Sequence, residues 1–258
     1  MILWCDGAHD PAENMRRDAA LLAAAECGAA PVLRLFRFAP HGITLGIHQR
    51  AGRTLDLARC RRDGVPWAIR PTGGRAIFHA EEWTYAFAAP IDDPEWGGSL
   101  REAYARVSTL VLASLLRLGV PAAFAPSGAG ATAGAADAAC FASAAAHELT
   151  LAGAKLAGSA QRRGARAFLQ QGSVLLGDGH LRLADYLALP ETGRARAHEA
   201  LRRATAGAGK HLGTEPPLER WADALAAELG AAVRRCGGAA GAFLLIPATS
   251  RSYTPAAF

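Results

Sequence analysis

The sequence lacks the signals that would send this 258-residue chain to a membrane or out of the cell. No apolar run approaches the roughly 18 residues that cross a bilayer. The opening stretch, MILWCDGAHDPAENMRR, has no long apolar core after a basic region, so it does not resemble an export signal. These absences predict a cytoplasmic protein.

Cysteines are few and widely spaced, and none forms a C-x-x-C pair. This spacing argues against a zinc site or a redox motif. An odd number of cysteines without an export signal also argues against a disulfide framework. We therefore expect reduced thiols, no metal and no cofactor. The five cysteines are Cys5, Cys27, Cys60, Cys140 and Cys236.

Basic runs interleaved with aromatic residues are also missing, so we do not expect nucleic-acid binding. The formal net charge is nevertheless +5, with a pI near 9.2, which favours acidic partners. A hydrophobic content of 51% and a charged content of 20% are typical of a globular protein. The sequence predicts a single catalytic domain over residues 1–236 and a C-terminal tail over 237–258. No heptad pattern is present, which favours a monomer.

Hydrophobic periodicity predicts an α+β fold, a mostly antiparallel sheet with packed helices. The clearest helix covers 99–119, where Ser99 and Glu102 have the spacing of a capping box. The stretch 180–189 indicates a strand edge followed by a helix, and 190–217 indicates irregular chain. Helices are also predicted over 12–27, 54–64 and 215–236. Strands are predicted over 31–38, 43–46, 67–70, 75–79, 83–89, 120–126, 147–151, 155–163 and 166–176.

The most informative stretch runs from Cys140 to Leu176 and predicts an antiparallel meander that carries one lysine, Lys155. Gly158 and Gly172 interrupt two of its strands. A glycine inside a strand often marks a bulge or the close approach of another molecule. We infer that a ligand lies across this sheet, beside the polar run SAQ at 159–161.

Three motifs in this chain resemble the lipoate–protein ligase and octanoyltransferase superfamily. KLAGSAQRR followed by LQQGSVLL is similar to its signature. RPTGGRAIFH at 70–79, with Thr84 and Tyr85 after it, resembles its glycine-rich substrate-binding segment, and ITLGIHQ at 43–49 is a weaker match. The matches span roughly residues 15 to 180 in the family's order. The resemblance implies a catalytic domain like that of the biotin and lipoate ligases.

Cys140 is the candidate nucleophile. Most cysteines are small buried apolar residues, but Cys140 lies between a glycine-alanine stretch and a strand. Members of the family that transfer acyl chains through a thioester resemble this sequence at Cys140-Phe141, at Glu148-Leu149 and over 153–161. ATP-using lipoate ligases commonly have Asn-Asp in place of Cys140-Phe141. The resemblance therefore implies a thioester on Cys140.

Lys155 is the second candidate catalytic residue. Without the resemblance, a lysine at this place is typical of a solvated strand residue. The family match implies that Lys155 faces the substrate carbonyl, where a cation stabilises the oxyanion and favours the Cys140 thiolate.

The resemblance also implies a set of substrate-binding residues. It places His79 at the acyl pocket, although His79 alone is typical of a hydrogen-bonded structural histidine. Arg70 and Arg75 are expected to shape the pocket and to meet the pantetheine arm or the carrier protein. Three places depart from the family pattern: Ile69 stands where many relatives have a second arginine, Gln171 where a histidine is frequent, and Ala19-Ala20 where a more acidic pair is common. The predicted binding residues are Arg70, Thr72, Gly73, Gly74, Arg75, His79, Gly158, Ser159, Ala160, Gln161 and Gly172.

The activity that the resemblance implies is octanoyl transfer in lipoate biosynthesis. The donor would be octanoyl-acyl carrier protein, and the acceptor a lysine of an apo lipoyl domain or of a glycine cleavage H protein, with neither ATP nor metal. Such carriers are typically acidic, which fits the basic chain. Two alternatives stay open: an ATP-dependent lipoate–protein ligase, and a non-catalytic lipoyl-domain-binding protein, against which the Cys140–Lys155 pair argues.

Overall fold

The structure is a computed structural model, and it describes residues 1–126, 148–213 and 215–238. These residues form strands β1 Ile2–His9, β2 Val32–Phe38, β3 Gly42–Leu45, β4 Trp67–Ile69, β5 Ile77–His79, β6 Glu82–Pro90, β7 Ala122–Phe124, β8 Leu149–Leu151, β9 Ala154–Arg163, β10 Ala167–Leu175 and β11 Arg234–Gly237. The helices are α1 Pro11–Glu26, α2 Ala51–Thr54, α3 Leu57–Arg62, α4 Leu100–Arg117, α5 Leu183–Tyr186, α6 Glu191–Ala204, α7 Gly209–Leu212 and α8 Leu218–Leu229.

The strands form two sheets. The large sheet has eight strands in the order β11-β1-β2-β6-β10-β9-β8-β7, and the small sheet has the order β4-β3-β5. β1 pairs in parallel with β2 and β11, and β3 pairs in parallel with β4, whereas the other pairs are antiparallel. This mostly antiparallel arrangement with packed helices confirms the predicted α+β class.

Helices cover both faces of the large sheet. On one face, α4 and α8 enclose an apolar cluster in which Trp83 and Trp221 stack with ring centroids 5.3 Å apart. On the other face, α1 packs through Leu21 on a cluster that includes Trp4. The small sheet has its own cluster around Phe78 and lies next to α1. Polar side chains of the two sheets meet where the sheets adjoin: Thr44 of β3 and Glu82 of β6 both contact His79 of β5.

The capping box predicted for the 99–119 helix is present. Ser99 Oγ accepts a hydrogen bond from Glu102 N at 3.3 Å, and Glu102 Oε2 accepts one from Ser99 N at 2.8 Å. Two N-terminal amides are thereby satisfied, and α4 begins where the sequence predicts.

Two predictions for the chain after β10 are wrong. The stretch 180–189 contains no strand: Gly179–Arg182 forms a 3-10 helix, and α5 follows directly. The stretch 190–217 is not irregular, because it contains α6 and α7. α6 buries only Ala197 and Leu201, four residues apart, among many exposed charges. So narrow an apolar stripe gives a weak helical pattern in the sequence.

The predictions for the end of the large sheet formed by β11 and β1, and for 54–64, also need correction. The last helix stops at Leu229, not at 236, and the chain turns at Gly230 (φ +71°) before β11. The sequence predicts neither β11 nor β1, whose first residues are nearly all buried and so do not alternate. The predicted helix over 54–64 is shorter: α3 covers only Leu57–Arg62 and is capped by Asp56, while Thr54 ends the separate short helix α2.

Candidate active site

The predicted site residues lie on three parts of the fold. Segment 70–75 joins β4 to β5, and His79 ends β5. Residues 155–161 belong to β9, and Gly172 belongs to β10. Cys140 and Phe141 fall within 127–147, outside the described residues, so the role of Cys140 stays a prediction.

A bulge in β9 turns Lys155 toward the side on which Gly158 lacks a side chain. Leu149 of β8 is opposite Ala157, whereas Thr150 is opposite Lys155, so β9 has one extra residue between them. Such an insertion re-aims the side chains before it. A Cβ placed on Gly158 would lie 2.9 Å from Lys155 Cε. The glycine therefore leaves room for the Lys155 side chain.

Lys155 is buried and paired with Glu148. Its Nζ donates a hydrogen bond to Glu148 Oε1 at 2.6 Å, and the two side chains are 2% and 8% exposed. Glu148 is the residue directly before β8, and it follows the stretch that contains Cys140. A buried cation needs a partner of opposite charge. Away from water it also acts more strongly on a negative charge that develops nearby.

Arg70 holds the glycine-rich turn from inside. Its Nε and Nη2 donate to Gly73 O at 3.1 and 2.7 Å, and Nη2 also donates to Arg75 O at 2.7 Å. Nη1 donates to Thr44 O at 3.3 Å, which ties the turn to β3. These contacts give Arg70 a turn-shaping role, whereas the contact of Arg70 and Arg75 with a carrier or a pantetheine arm stays a prediction.

The two glycines of the turn differ in what they permit. Gly74 has a φ of +91°, a conformation that side-chain-bearing residues rarely adopt. A Cβ placed on Gly73 would meet no atom within 4 Å, so this position faces open space. Gly73 is therefore the position of the turn where the backbone can contact a ligand directly.

Thr72 is anchored to the large sheet through Gln171. Thr72 Oγ1 donates to Gln171 Oε1 at 2.7 Å, and Gln171 Nε2 donates to Asp18 Oδ2 of α1 at 2.6 Å. Arg34 Nη1 in turn donates to Asp18 Oδ1 at 2.5 Å. All four side chains are buried. The glycine-rich turn is thus connected to a polar network beneath α1.

Burial raises the pKa of Asp18, while the charge of Arg34 and the hydrogen bond from Gln171 oppose that rise. Arg34 also donates to Asp6 Oδ2 at 2.7 Å and to Asn14 Oδ1 at 2.5 Å. The network therefore joins β1, α1, β2 and β10.

His79 is hydrogen bonded through both ring nitrogens. Nδ1 lies 2.6 Å from Glu82 Oε1, and Nε2 lies 2.7 Å from Thr44 Oγ1. Its ring stacks on Phe38 with centroids 3.9 Å apart. Glu82 Oε1 also accepts from Ser173 Oγ at 3.0 Å. This geometry holds His79 in place between the two sheets; its contact with an acyl chain stays a prediction.

Gly172 and Ser159 lie on the opposite side of the large sheet from the Thr72–Gln171 contact. Ser159 Oγ lies 2.7 Å from the hydroxyl of Tyr85, which belongs to the cluster under α4. The Tyr85 ring fills the space that a side chain on Gly172 would need. Gln161 extends this second network by donating to Gln170 Oε1 at 3.2 Å. Ala160, in contrast, is the register partner of Gln171 and so lies on the Gln171 side of the sheet. The structure therefore does not bring all predicted residues to one face.

Sequence reasoning assigned no role to Glu148, Asp18 or Glu82. Glu148 lies inside the recognised motif, so that motif could have pointed to it. Asn14 and Asp18 are polar residues four apart on the buried face of α1, which is a signal for a buried polar network. Glu82 has no comparable local signal. In the described ranges, no cluster of three or more His, Cys, Asp or Glu side chains is arranged to hold a metal ion.

The chain matches known proteins in sequence. The family described as "Lipoyl protein ligase A/B catalytic domain" matches residues 10–230. Octanoyltransferase LipM of Moorella thermoacetica is 37% identical over 171 residues, and that match covers 66% of this chain and 63% of the relative. Octanoyltransferase LipM of an Exiguobacterium species is 38% identical over 192 residues, covering 72% of this chain and 70% of the relative. This chain therefore matches less than two thirds of the Moorella relative's length.

Solved structures share the fold. A bipartite lipoate protein ligase from Thermoplasma acidophilum superposes with a TM-score of 0.71 at 19% identity, covering 95% of this chain and 89% of the other. A lipoate-protein ligase A bound with ATP gives a TM-score of 0.67 at 18% identity, covering 95% and 93%. No helix in the described part of the chain has the length and apolar character of a membrane span. The resemblance seen in the sequence motifs is confirmed, and the chain belongs to the lipoyl protein ligase A/B catalytic domain family.

Proposed function

We propose that this protein is an octanoyltransferase of lipoate biosynthesis, with octanoyl-acyl carrier protein as donor. The acceptor is a lysine of an apo lipoyl domain or of a glycine cleavage H protein. The relatives named octanoyltransferase LipM support the octanoyl transfer. The observation that carries the proposal is the buried Lys155–Glu148 pair, which directly follows the stretch that holds Cys140.

In the first step, the Cys140 thiolate attacks the carbonyl carbon of the octanoyl thioester. A new C–S bond forms, and the tetrahedral oxyanion collapses as the bond to the carrier's sulfur breaks. The carrier thiolate leaves and takes up a proton. Lys155 Nζ stabilises the oxyanion, and its charge also lowers the free energy of the Cys140 thiolate.

In the second step, the neutral amine of the acceptor lysine attacks the carbonyl of octanoyl-Cys140. The bond to the Cys140 sulfur breaks and restores the Cys140 thiolate, the amine releases a proton to solvent that balances the one taken up by the carrier thiolate, and an amide remains. Because both steps pass through the same kind of oxyanion, Lys155 acts in each of them. Neither step consumes a nucleotide or requires a metal ion.

The remaining parts of the proposal concern the whole protein. Residues 1–236 form one catalytic domain, and 237–258 are a tail. The protein acts as a monomer in the cytoplasm, where thiols stay reduced, and it binds neither nucleic acid nor membranes.

The proposal is tested by mixing the purified protein with octanoyl-acyl carrier protein and an apo lipoyl domain, in the presence of a metal chelator and without ATP. We expect the mass of the lipoyl domain to rise by one octanoyl group. Modification only with free octanoate or lipoate and ATP would identify a ligase. Binding of the lipoyl domain without modification under either condition would identify a non-catalytic partner.

A further inference from the structure

We name three exposed apolar residues the β4 patch: Trp67 and Ile69 of β4, and Ile47, which lies two residues after the end of β3, the strand paired with β4. In the described part of the chain they are three of the five large apolar side chains that are exposed, at 41%, 38% and 44%. Trp67 and Ile69 alternate along β4, so they share one face, and their register partners are the buried Ile43 and Leu45. The β4 patch therefore continues a buried apolar row out to the surface.

The patch lies on an edge strand. β4 is at the end of the small sheet, next to β3 only, among the strands described. Natural edge strands are commonly protected by charged residues or proline. β4 is short and lies between Pro66 and Pro71, yet its exposed face presents a tryptophan and an isoleucine, and aromatic residues are enriched at the centres of protein–protein interfaces. This composition indicates that the exposed face of β4 contacts a protein partner.

The segment around the patch carries the entire formal net charge of the chain. Residues 41–75 contain seven arginines and two aspartates, a net charge of +5, and the rest of the chain is neutral in sum. Arg50, Arg53, Arg61 and Arg62 are exposed. An apolar patch in a chain segment that carries several exposed arginines is complementary to an acidic surface with apolar residues, and such a charge pattern accelerates association.

The patch is joined to the glycine-rich turn, and the turn contacts β9 at Arg162, near the end of that strand opposite to Lys155. Ile47 N donates to Thr72 O at 3.0 Å, and Arg162 Nη1 donates to Pro71 O at 3.4 Å. Arg162 lies seven residues beyond Lys155 on β9, which is roughly 23 Å along an extended strand. An acceptor lysine on a protein docked at the patch would not span that distance, whereas a long flexible prosthetic arm would.

We propose that the β4 patch docks the acyl donor, an acidic protein that presents its acyl group on a long flexible arm. This inference rests on the proposed function and adds the surface that receives the donor. In this arrangement the exposed Ile69 is an apolar contact of the docking surface.

The test compares two octanoyl donors, octanoyl-acyl carrier protein and octanoyl-pantetheine, which has the arm without the protein. The patch variants are Trp67→Ser, Ile69→Ser and the charge reversal Arg50→Glu/Arg53→Glu. The controls are Leu116→Ser and Arg101→Glu, exposed residues of α4 on the other face of the large sheet. Thermal unfolding shows that each variant is folded. KM is measured for both donors and for the acceptor domain.

We expect each patch variant to raise KM for octanoyl-acyl carrier protein at least fivefold, with the change confined to that donor. Added salt should raise the wild-type KM for this donor and have less effect on the charge-reversed variant. If a patch variant raises KM for the acceptor domain alone, the patch is the acceptor's surface. If it impairs transfer equally from both donors, the patch belongs to the acyl site. Either result overturns the proposal, and so does an unchanged KM for octanoyl-acyl carrier protein. A wild-type protein inactive with both donors would instead remove the proposed function.

Discussion

Lys155 Nζ and Glu148 Oε1 are 2.6 Å apart, and both side chains are buried. The bulge between β8 and β9 and the missing side chain of Gly158 make this contact possible. Lys155 is one of only two lysines in the chain, and the other, Lys210, is exposed on α7. Lys155 therefore allows a test of the cation's role, and Lys210 provides the matched control.

Replacing Lys155 by methionine should abolish most transfer. The change removes the charge that stabilises the oxyanion, and we expect a fall in kcat on the order of a hundredfold or more. Lys210→Met should keep the wild-type rate, since Lys210 lies at the surface. Single-turnover transfer of octanoyl to an apo lipoyl domain measures both variants. A rate within a fewfold of wild type for Lys155→Met would contradict a catalytic role.

Glu148 allows the stability effect of the pair to be separated from its catalytic effect. Lys155→Met leaves a buried carboxylate without its cation, which costs about 3 to 5 kcal/mol. Adding Glu148→Gln removes that charge, so the double variant should regain much of the free energy of unfolding while staying inactive. Urea unfolding and the transfer assay, run on both proteins, decide this. Recovery of activity together with stability would mean that Lys155 acts only through the fold.

Gln171 should be replaceable by histidine but not by leucine. Gln171 accepts from Thr72 and donates to Asp18, and a neutral imidazole also offers one acceptor and one donor. Leucine would leave two buried polar groups unpaired, at about 1 to 3 kcal/mol each, and would release the turn. We expect a roughly ten- to hundredfold loss of kcat/KM for Gln171→Leu, as for other misplaced binding groups. Equal activity of the leucine and histidine variants would show that the Thr72 contact does not position the turn.

Gly73→Val should block transfer without unfolding the protein. A side chain here extends into open space where the acyl chain is expected to lie, so KM for the octanoyl donor should rise steeply while the unfolding midpoint stays unchanged. Gly74→Val should also lose transfer, but the φ of +91° adds backbone strain, so its stability should fall too. Gly237→Val, on the edge strand β11, is the control. Normal transfer by a folded Gly73→Val protein would remove the turn from the acyl site.

Local patterns in the sequence predict much of the fold. The capping box and apolar spacing of α4, and the glycine-rich turn before β5, are encoded within a few residues and were predicted. α6 was missed because its helix depends on burying Ala197 and Leu201 under neighbouring elements, not on a broad apolar face.

The site was less predictable because its geometry depends on contacts between distant residues. The motif indicated Lys155, but its burial follows from a bulge that shifts the register by one residue, which no local pattern reveals. The Thr72–Gln171–Asp18 contacts join residues separated by 99 and 153 positions. The division of Gly158 and Gly172 between two faces likewise depends on the register of β9 with β10.

Formation of a thioester on Cys140 is tested by the mass of the protein itself after brief exposure to octanoyl-acyl carrier protein without ATP. We expect one octanoyl adduct, mapped by peptide sequencing to Cys140, that disappears when an apo lipoyl domain is added. Cys140→Ala should carry no adduct and transfer nothing, whereas Cys27→Ala, which removes an exposed cysteine, should behave as wild type. Substantial transfer by Cys140→Ala that requires ATP and free octanoate or lipoate would contradict the thioester mechanism.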